Sequence, residues 1–355
     1  MSGKKISVNV LNRYGVSLLS KCIPKDEAEI VMETLIDADL SGVPSHGVSR
    51  ITDYINRMES GLIERSTEIE IKSNTPTTAL FNANNGWGQV VSVKAMNKAI
   101  EMAEQYGTGF VGVCGSNHNG TAAYFTKMAA EKGFVGIAMT NTSATMVPFG
   151  GMEPSLGTNP ISIAIPGPAG FPIVLDMATS NVARGKIIQA KKKNQKIPEG
   201  WAITKDGEHT TDPEKALKGY MLPMGPKGSG LAIIIDILCG VMTGANFGKG
   251  VPRMYDDPEP QLIGHFFGAI NVEGFINRSA FDERMKEKVA ETTGTKPMKG
   301  FDRVFMPGEI EYLKKKQQLE DGILLPQEIF DELIHTGKKY GVEISDFMNK
   351  EKVQN

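Results

Sequence analysis

The sequence predicts an α/β fold in which helices from both chain ends flank a central α/β domain, and three observations carry that expectation. Phe110 to Cys114 and Phe134 to Met139 are short apolar runs suited to buried strands; a polar glycine loop (Gly115 to Gly120) and a helix-period segment (Thr121 to Lys132) separate them. The first seventy or so residues, and most of the chain from Arg278 onward, read as helical instead. A chain of 355 residues also exceeds the ~100–200 residues typical of one domain. The expected division is a helical domain built from residues 1–72 and 277–355 and an α/β domain over residues 73–276.

Val8 to Ser20 is the first candidate helix. Pro24 to Leu40 is the second: Pro24 and Asp26-Glu27 favour its start, Val31, Leu35, Ile36 and Ala38 supply an apolar face, and Gly42 and Pro44 end it. The spacing predicts a further helix from an N-cap at Ser45 through His46, Arg50 and Tyr54 towards Met58. Residues four apart share one broad helical face, so an imidazole, a guanidinium and a phenol are expected to point into one cleft. A solvated helix face is the alternative reading.

Thr78 to Phe81 reads as a strand, Asn82 to Gly86 as a turn, and Val90 to Gln105 as a long helix buried along Val91, Ala95, Ala99 and Met102. The strand-loop-helix-strand unit then places His118 at the carboxyl end of a strand, just before a helix, where open α/β folds hold their ligands. His118 is the candidate acid/base group. Asn141 to Pro160, rich in Gly, Pro, Ser and Thr, is too long for a simple connection and is expected to be functional. Ile161 to Ile165 and Ile173 to Leu175 read as strands, the second ending at Asp176. Asn181 to Lys193 reads as a lysine-rich helix capped by Ser180 or Asn181, with Arg184 near its start and able to reach an anion.

A second glycine-rich loop, Leu222 to Gly230, leads into an apolar helix from Leu231 to Val241. Such a loop can bind phosphate through backbone N–H groups, with Lys227 as a mobile cation; a purely structural corner is the other reading. No Walker spacing occurs, and no Gly-x-Gly-x-x-Gly follows a strand, so a Rossmann fingerprint is missing. Ile263 to Val272 reads as one more strand, with His265 packed rather than catalytic. Helices are expected at Phe281 to Glu291, Glu309 to Gln318 and Gln327 to Tyr340.

The composition, 40% hydrophobic and 23% charged, is that of a soluble globular protein. A net charge of −2 without a basic stripe argues against nucleic acid as a partner. Cys22, Cys114 and Cys239 stand far apart in apolar company, so they are expected to be buried free thiols in a reducing cytoplasm, with no zinc or other metal site. No secretory leader is legible at the amino terminus. The longest apolar run, Leu231 to Thr243, contains Asp236 and falls short of the ~20 residues of a membrane span.

Six segments occur in order: Ser45-His46-Gly47-x-x-Arg50-x-x-x-Tyr54, Gly115-Ser-Asn-His118-x-Gly120, Pro148-Phe-Gly-Gly151, Gly157-Thr-Asn-Pro160, Asp176-Met-Ala-Thr179 and Pro226-Lys-Gly-x-Gly230. Together they resemble the malate/L-lactate dehydrogenase family, which also includes sulfolactate, ureidoglycolate and diketogulonate members, and the resemblance covers nearly the whole chain. It implies an oxidoreductase dependent on NAD or NADP, usually a homodimer, whose α/β domain binds the coenzyme without a Rossmann fold. Motif by motif, it implies His118 as proton acceptor in alcohol oxidation and donor in carbonyl reduction. Ser45, His46, Arg50 and Tyr54 are implied as the substrate face. Thr142, Asp176, Met177, Ala178, Lys227, Gly228 and the turn Gly300-Phe301-Asp302 are implied as coenzyme contacts.

The residue chemistry agrees with that implication. Oxidation of a 2-hydroxy acid needs a base, a carboxylate clamp and a positioned coenzyme. A histidine changes charge near neutrality, and the planar fork of Arg50 suits a carboxylate, with His46 either touching substrate or orienting that arginine. Arg184 is the candidate for a second carboxylate, which favours malate. Ureidoglycolate, sulfolactate and cyclic imine chemistry remain alternatives, as does a catalytically silent nucleotide-binding protein. The site is expected in a cleft between the domains, with His118 and Arg50 facing a common pocket, from one chain or across a dimer interface.

Overall fold

Residues 3–168, 170–254 and 258–354 are described by a computed structural model of the chain. The two chain ends meet in a short antiparallel ladder: β1 (Gly3–Ile6) pairs with β11 (Ile323–Pro326), Ile6 opposite Ile323. Around that ladder pack α1 (Val8–Leu19), α2 (Lys25–Leu40), α3 (Ile51–Glu59), α11 (Gln327–Lys339) and α12 (Ile344–Gln354). Leu11, Leu18, Met32, Leu35, Ile51 and Ile55 share one core with Phe330 and Leu333, so the ends of the chain bury each other's apolar faces. Trp87, at the foot of α4 (Gly88–Tyr106), inserts into the same core. By contrast, α9 (Arg278–Thr293) and α10 (Glu309–Asp321) contain no fully buried side chain.

The centre of the molecule is a seven-stranded mixed sheet. Its strands are β2 (Glu70–Asn74), β3 (Thr78–Asn82), β4 (Thr108–Ser116), β5 (Phe134–Thr140), β6 (Ile161–Ile165), β7 (Ile173–Met177) and β10 (Ile263–Asn271), in spatial order β2-β3-β4-β10-β5-β6-β7. Among the described strands of this sheet, only β3 and β4 pair in parallel. β10 lies between β4 and β5 and is antiparallel to both. α4 and α5 (Ala122–Glu131) cover one face, where Ala95, Ala99 and Phe125 meet Val111, Ala138 and Phe267. α8 (Gly225–Asp236) and the π-helical turn Ile237–Val241 cover the other through Ile235 and Cys239. A small satellite holds α6 (Arg184–Lys192), the hairpin-like pair β8 (Ala202–Ile203) and β9 (Tyr220–Met221), and α7 (Pro213–Lys218), around Met146, Ile187, Ile197 and Met221.

Four local expectations need correction. The segment from Ser45 to Met58 is not one helix: two 3₁₀ turns, Pro44–His46 and Val48–Arg50, precede α3. The cause is Asp39, whose carboxylate accepts from Val48 N at 2.8 Å and lies where a Gly47 side chain would stand; a Cβ there would be 2.0 Å from its Oδ1. Gly47 therefore takes an extended backbone (φ −90°, ψ −154°) that breaks the helical face. Secondly, β7 runs through Asp176 and Met177, because both pair with β6. Thirdly, α8 begins at Gly225, so Lys227 and Gly228 belong to its first turn and not to a loop. Lastly, α6 starts at Arg184 without a side-chain cap, since the Ser180 hydroxyl donates to the Val182 carbonyl.

Cys22, Cys114 and Cys239 are buried free thiols. No helix among the described residues is long and apolar enough to cross a membrane.

Candidate active site

The loop after β4 is fixed by side-chain amides. Asn117 donates from Nδ2 to Asn85 O (3.1 Å), Asn85 Oδ1 (3.0 Å) and Gly86 O (3.0 Å), tying the loop to the turn after β3, where Asn84 and Asn85 have positive φ. Asn119 donates to Ser92 Oγ at 3.0 Å, which anchors the loop on α4. Gly88 admits the loop's close approach: a Cβ there would lie 2.1 Å from the Asn117 carbonyl oxygen. Held on both sides, His118 projects from a rigid backbone.

Two aromatic side chains from the helical layer converge on it. The Tyr54 hydroxyl lies 2.7 Å from His118 Nδ1, and the His46 ring stacks on the His118 ring with centroids 5.3 Å apart and planes 29° from parallel. Ser45 Oγ lies 3.0 Å from His46 Nδ1. The Tyr54 bond engages Nδ1, so Nε2 is the ring nitrogen left for a reactant. Burial, then the neighbouring His46 and Arg50, hold His118 well below the usual imidazole range. Burial and Arg50 likewise bring His46 down to about 4, while burial keeps the Tyr54 hydroxyl protonated. Both imidazoles are therefore neutral near pH 7.

His118 and His46 form one wall of a cavity of about 590 Å³. Thr142 lines it too, as do the cationic side chains Arg184, Lys205, Lys218 and Arg253. No Asp or Glu is among the described residues lining it, so the cavity carries a net positive charge. Arg50 does not line it: its guanidinium pairs with Asp53 (3.0 Å) and donates from Nε to the Ser45 carbonyl (2.6 Å). Its charge nonetheless reaches His118, His46 and Tyr54.

A second cavity, of about 750 Å³, is lined by Thr121, the residue after Gly120 of the first, at the amino end of α5. Asp176 stands in its wall and accepts from Ala123 N at 3.4 Å. Although the residue keeps an exposed edge, the protein around its carboxyl raises it to about 6. Leu175, Phe305 and Gly308 add apolar and open surface. Met177 and Ala178 continue the strand from Asp176 but line neither cavity. α8 begins against this strand end: a Cβ at Gly228 would lie 2.8 Å from the Thr179 carbonyl, and Met224 N donates to that carbonyl at 3.0 Å. Lys227 is exposed on the same first turn. Gly300, Phe301 and Asp302 form an exposed turn, and the cavity takes the residues just beyond it, Phe305 to Gly308.

Reading the sequence missed Lys205 and Lys218, which sit in the satellite and carry no motif; only their reversal onto the cavity by β8 and β9 reveals them. Phe305 and Gly308 were missed for a similar reason, as they follow the turn taken for the contact. No group of three or more His, Cys, Asp or Glu side chains suited to a metal ion occurs among the described residues.

Comparison with known proteins agrees with this geometry. Residues 6–334 match the family model described as malate/L-lactate dehydrogenase. The chain is 40% identical over 346 residues to the L-sulfolactate dehydrogenase of Methanocaldococcus jannaschii, covering 97% of each. It is 39% identical over 349 residues to the malate dehydrogenase of Pyrococcus abyssi, covering 96% of each. The solved structure of the M. jannaschii sulfolactate dehydrogenase superimposes with a TM-score of 0.92 over 97% of this chain and all of that one (100%), at 38% identity. A shared sequence over almost the full length and a shared sheet with its flanking helices have one reading: the chain belongs to the malate/L-lactate dehydrogenase family.

Proposed function

We propose that the protein is an NAD(P)-dependent oxidoreductase that transfers a hydride between the nicotinamide and C2 of a small dianionic 2-hydroxy or 2-oxo acid, of the malate or sulfolactate kind. The observation that carries this reading is the neutral His118, with Nδ1 engaged by Tyr54 and Nε2 left for the cavity, in a chamber whose other charges are cationic. Relatives named malate dehydrogenase and sulfolactate dehydrogenase support it.

In oxidation, Nε2 of His118 takes the proton of the substrate hydroxyl from the tautomer whose own proton sits on Nδ1, and the imidazolium that forms donates from Nδ1 to Tyr54 Oη in place of the long contact that Gly120 N makes there (3.4 Å). In reduction the ring returns that proton to the carbonyl oxygen. Arg184, Lys205 and Lys218 offset the substituent on C3, carboxylate or sulfonate. Arg50 clamps the C1 carboxylate after exchanging Asp53 for it, with His46 packed alongside. Ser45 holds His46 in its tautomer.

The donor set fits a dinucleotide. Thr142 faces the chamber of His118, the Asp176 carboxyl suits ribose hydroxyls, Phe305 and Leu175 suit a base, and Lys227 stands nearby for phosphate charge. When bound, the nicotinamide accepts or supplies the hydride. The cleft then lies among the sheet loops and the satellite, with the helical assembly of the chain ends contributing His46. A homodimer is the proposed assembly, because α8 and the following turn leave Ile233, Ile234, Ile237, Val241, Met242 and Phe247 exposed along one side.

The test follows absorbance loss of NADH and of NADPH with oxaloacetate, sulfopyruvate, pyruvate and oxalurate. Turnover is expected with the two dianions above the two monoanions. Absence of turnover with any 2-oxo acid and either coenzyme would leave a silent nucleotide-binding protein.

A further inference from the structure

β10 carries one imidazole that faces no cavity. His265 is fully buried, and its ring spans both neighbouring strands: Nδ1 lies 2.8 Å from Thr140 Oγ1 at the end of β5, and Nε2 lies 2.8 Å from Ser116 Oγ at the end of β4. Each partner stands two residues before a site residue, Thr142 on one side and His118 on the other.

Both hydroxyls are themselves tied to the backbone. The Thr140 hydroxyl lies 3.1 Å from the Asn141 carbonyl and 3.2 Å from the Gly264 carbonyl, and the Ser116 hydroxyl lies 3.4 Å from the Asn117 carbonyl. The ring therefore joins two side chains that are each anchored to their own strand end. The backbone beside the ring is gripped as well. The pairing of β10 with β4 shifts register between Ile263 and His265, and at that shift Asn141 Oδ1 accepts from Gly264 N at 3.0 Å. A side chain at Gly264 is excluded, because its Cβ would stand 1.7 Å from the Cys239 carbonyl oxygen.

We propose that His265 is a positioning residue: an imidazole whose two ring nitrogens tie the ends of β4 and β5 and so set the distance between His118 and the Thr142 wall. β4 and β5 share no ladder, because β10 lies between them, and small changes in their relative height move the base against the coenzyme-facing wall. This inference rests on the enzymatic reading of His118.

The experiment compares wild type, His265→Phe, His265→Gln and Tyr14→Phe. Phe keeps a ring and removes both hydrogen bonds; Gln restores an amide donor and acceptor. Tyr14→Phe removes a buried bond to the Leu333 carbonyl in the helical core and controls for lost stability. His265→Phe is expected to lower kcat by roughly 10–100-fold with little change in KM, the effect of a reacting group displaced by about 1 Å. His265→Gln is expected to recover most of that loss, and Tyr14→Phe to keep the wild-type kcat. A His265→Phe enzyme that folds and turns over like Tyr14→Phe overturns the proposal. If the wild type reduces no 2-oxo acid, the activity assignment fails by itself and the tie is judged by nitrogen-15 spectra of histidine-labelled protein. The His265 signal, identified by its loss in His265→Gln, is expected as a neutral ring whose N–H is held in a hydrogen bond and exchanges slowly with solvent, and a freely exchanging or protonated ring at pH 7 overturns the proposal. The same spectrum decides the matter if the Phe variant does not fold.

Discussion

The Tyr54 hydroxyl and the Nδ1 of His118 lie 2.7 Å apart although the residues come from different layers and stand 64 positions apart in the chain. One bond therefore joins the helical layer to the sheet at the point where a proton must move. Tyr54→Phe keeps the ring that packs edge-on against Trp87 and removes the hydroxyl that makes this bond. We expect kcat to fall about tenfold, from about 1.5 kcal/mol of lost stabilisation, with KM nearly unchanged. Steady-state kinetics on the variant checks it, and an unaltered kcat would detach Tyr54 from the proton step.

Replacing His118 by Ala removes the acid/base group itself. The expected loss in kcat is ~10²–10⁴-fold in both directions. Near-normal turnover would remove His118 from the mechanism.

The low proton affinity of His118 sets a pH signature. The imidazole is charged only well below its usual range, so oxidation should keep its rate as the pH falls through 6.5, the ordinary value. Reduction needs the protonated ring, and an anionic substrate beside it favours that form. The pH limb of kcat for reduction should therefore lie above that of kcat/KM. Profiles in both directions test this; coincident limbs would contradict it.

Charge selection should reside in the satellite. Arg184→Met or Lys205→Met is expected to lower kcat/KM for oxaloacetate roughly 10–100-fold more than for pyruvate, as for the loss of a charge-assisted bond. Equal losses for the two acids would place the C3 substituent elsewhere.

Folding stability should respond to pH through His265. Its folded value, lowered by burial to about 3, lies below the ordinary 6.5, so the folded state resists protonation and stability is lost as pH falls below 6.5. His265→Gln lacks that titration. Between pH 7 and pH 5 the wild type should lose about 2 kcal/mol more than the variant, from ~1.4 kcal/mol per pH unit. Denaturant melts of both proteins at the two pH values measure it, and parallel losses would refute it.

The strand-loop-helix-strand unit around His118 was legible because its apolar runs are buried and its glycine loop carries turn chemistry. Most helices were legible within a few residues. The His46 to Tyr54 face was read as one helix because local spacing cannot register Asp39, a buried carboxyl from the preceding helix that reshapes the backbone at Gly47. Short strands such as β1, β11, β8 and β9 escaped because their partners supply the signal: β1 and β11 lie more than 300 positions apart in the register Gly3 to Pro326. Lys205 and Lys218 belong to that class too, since a cationic wall is a property of where the chain returns and not of any motif.

The place of β10 between β4 and β5 also governs how the protein can be made. On the ribosome, residues 108–140 emerge long before residues 263–271, so the two strands that carry the site wait with open hydrogen-bonding edges. A nascent chain ending before Ile263 holds every residue of the His118 loop yet lacks the strand that seats it. Enzyme activity should thus arise late in synthesis, and fragments of the first 260 residues should be inactive and inclined to pair with one another.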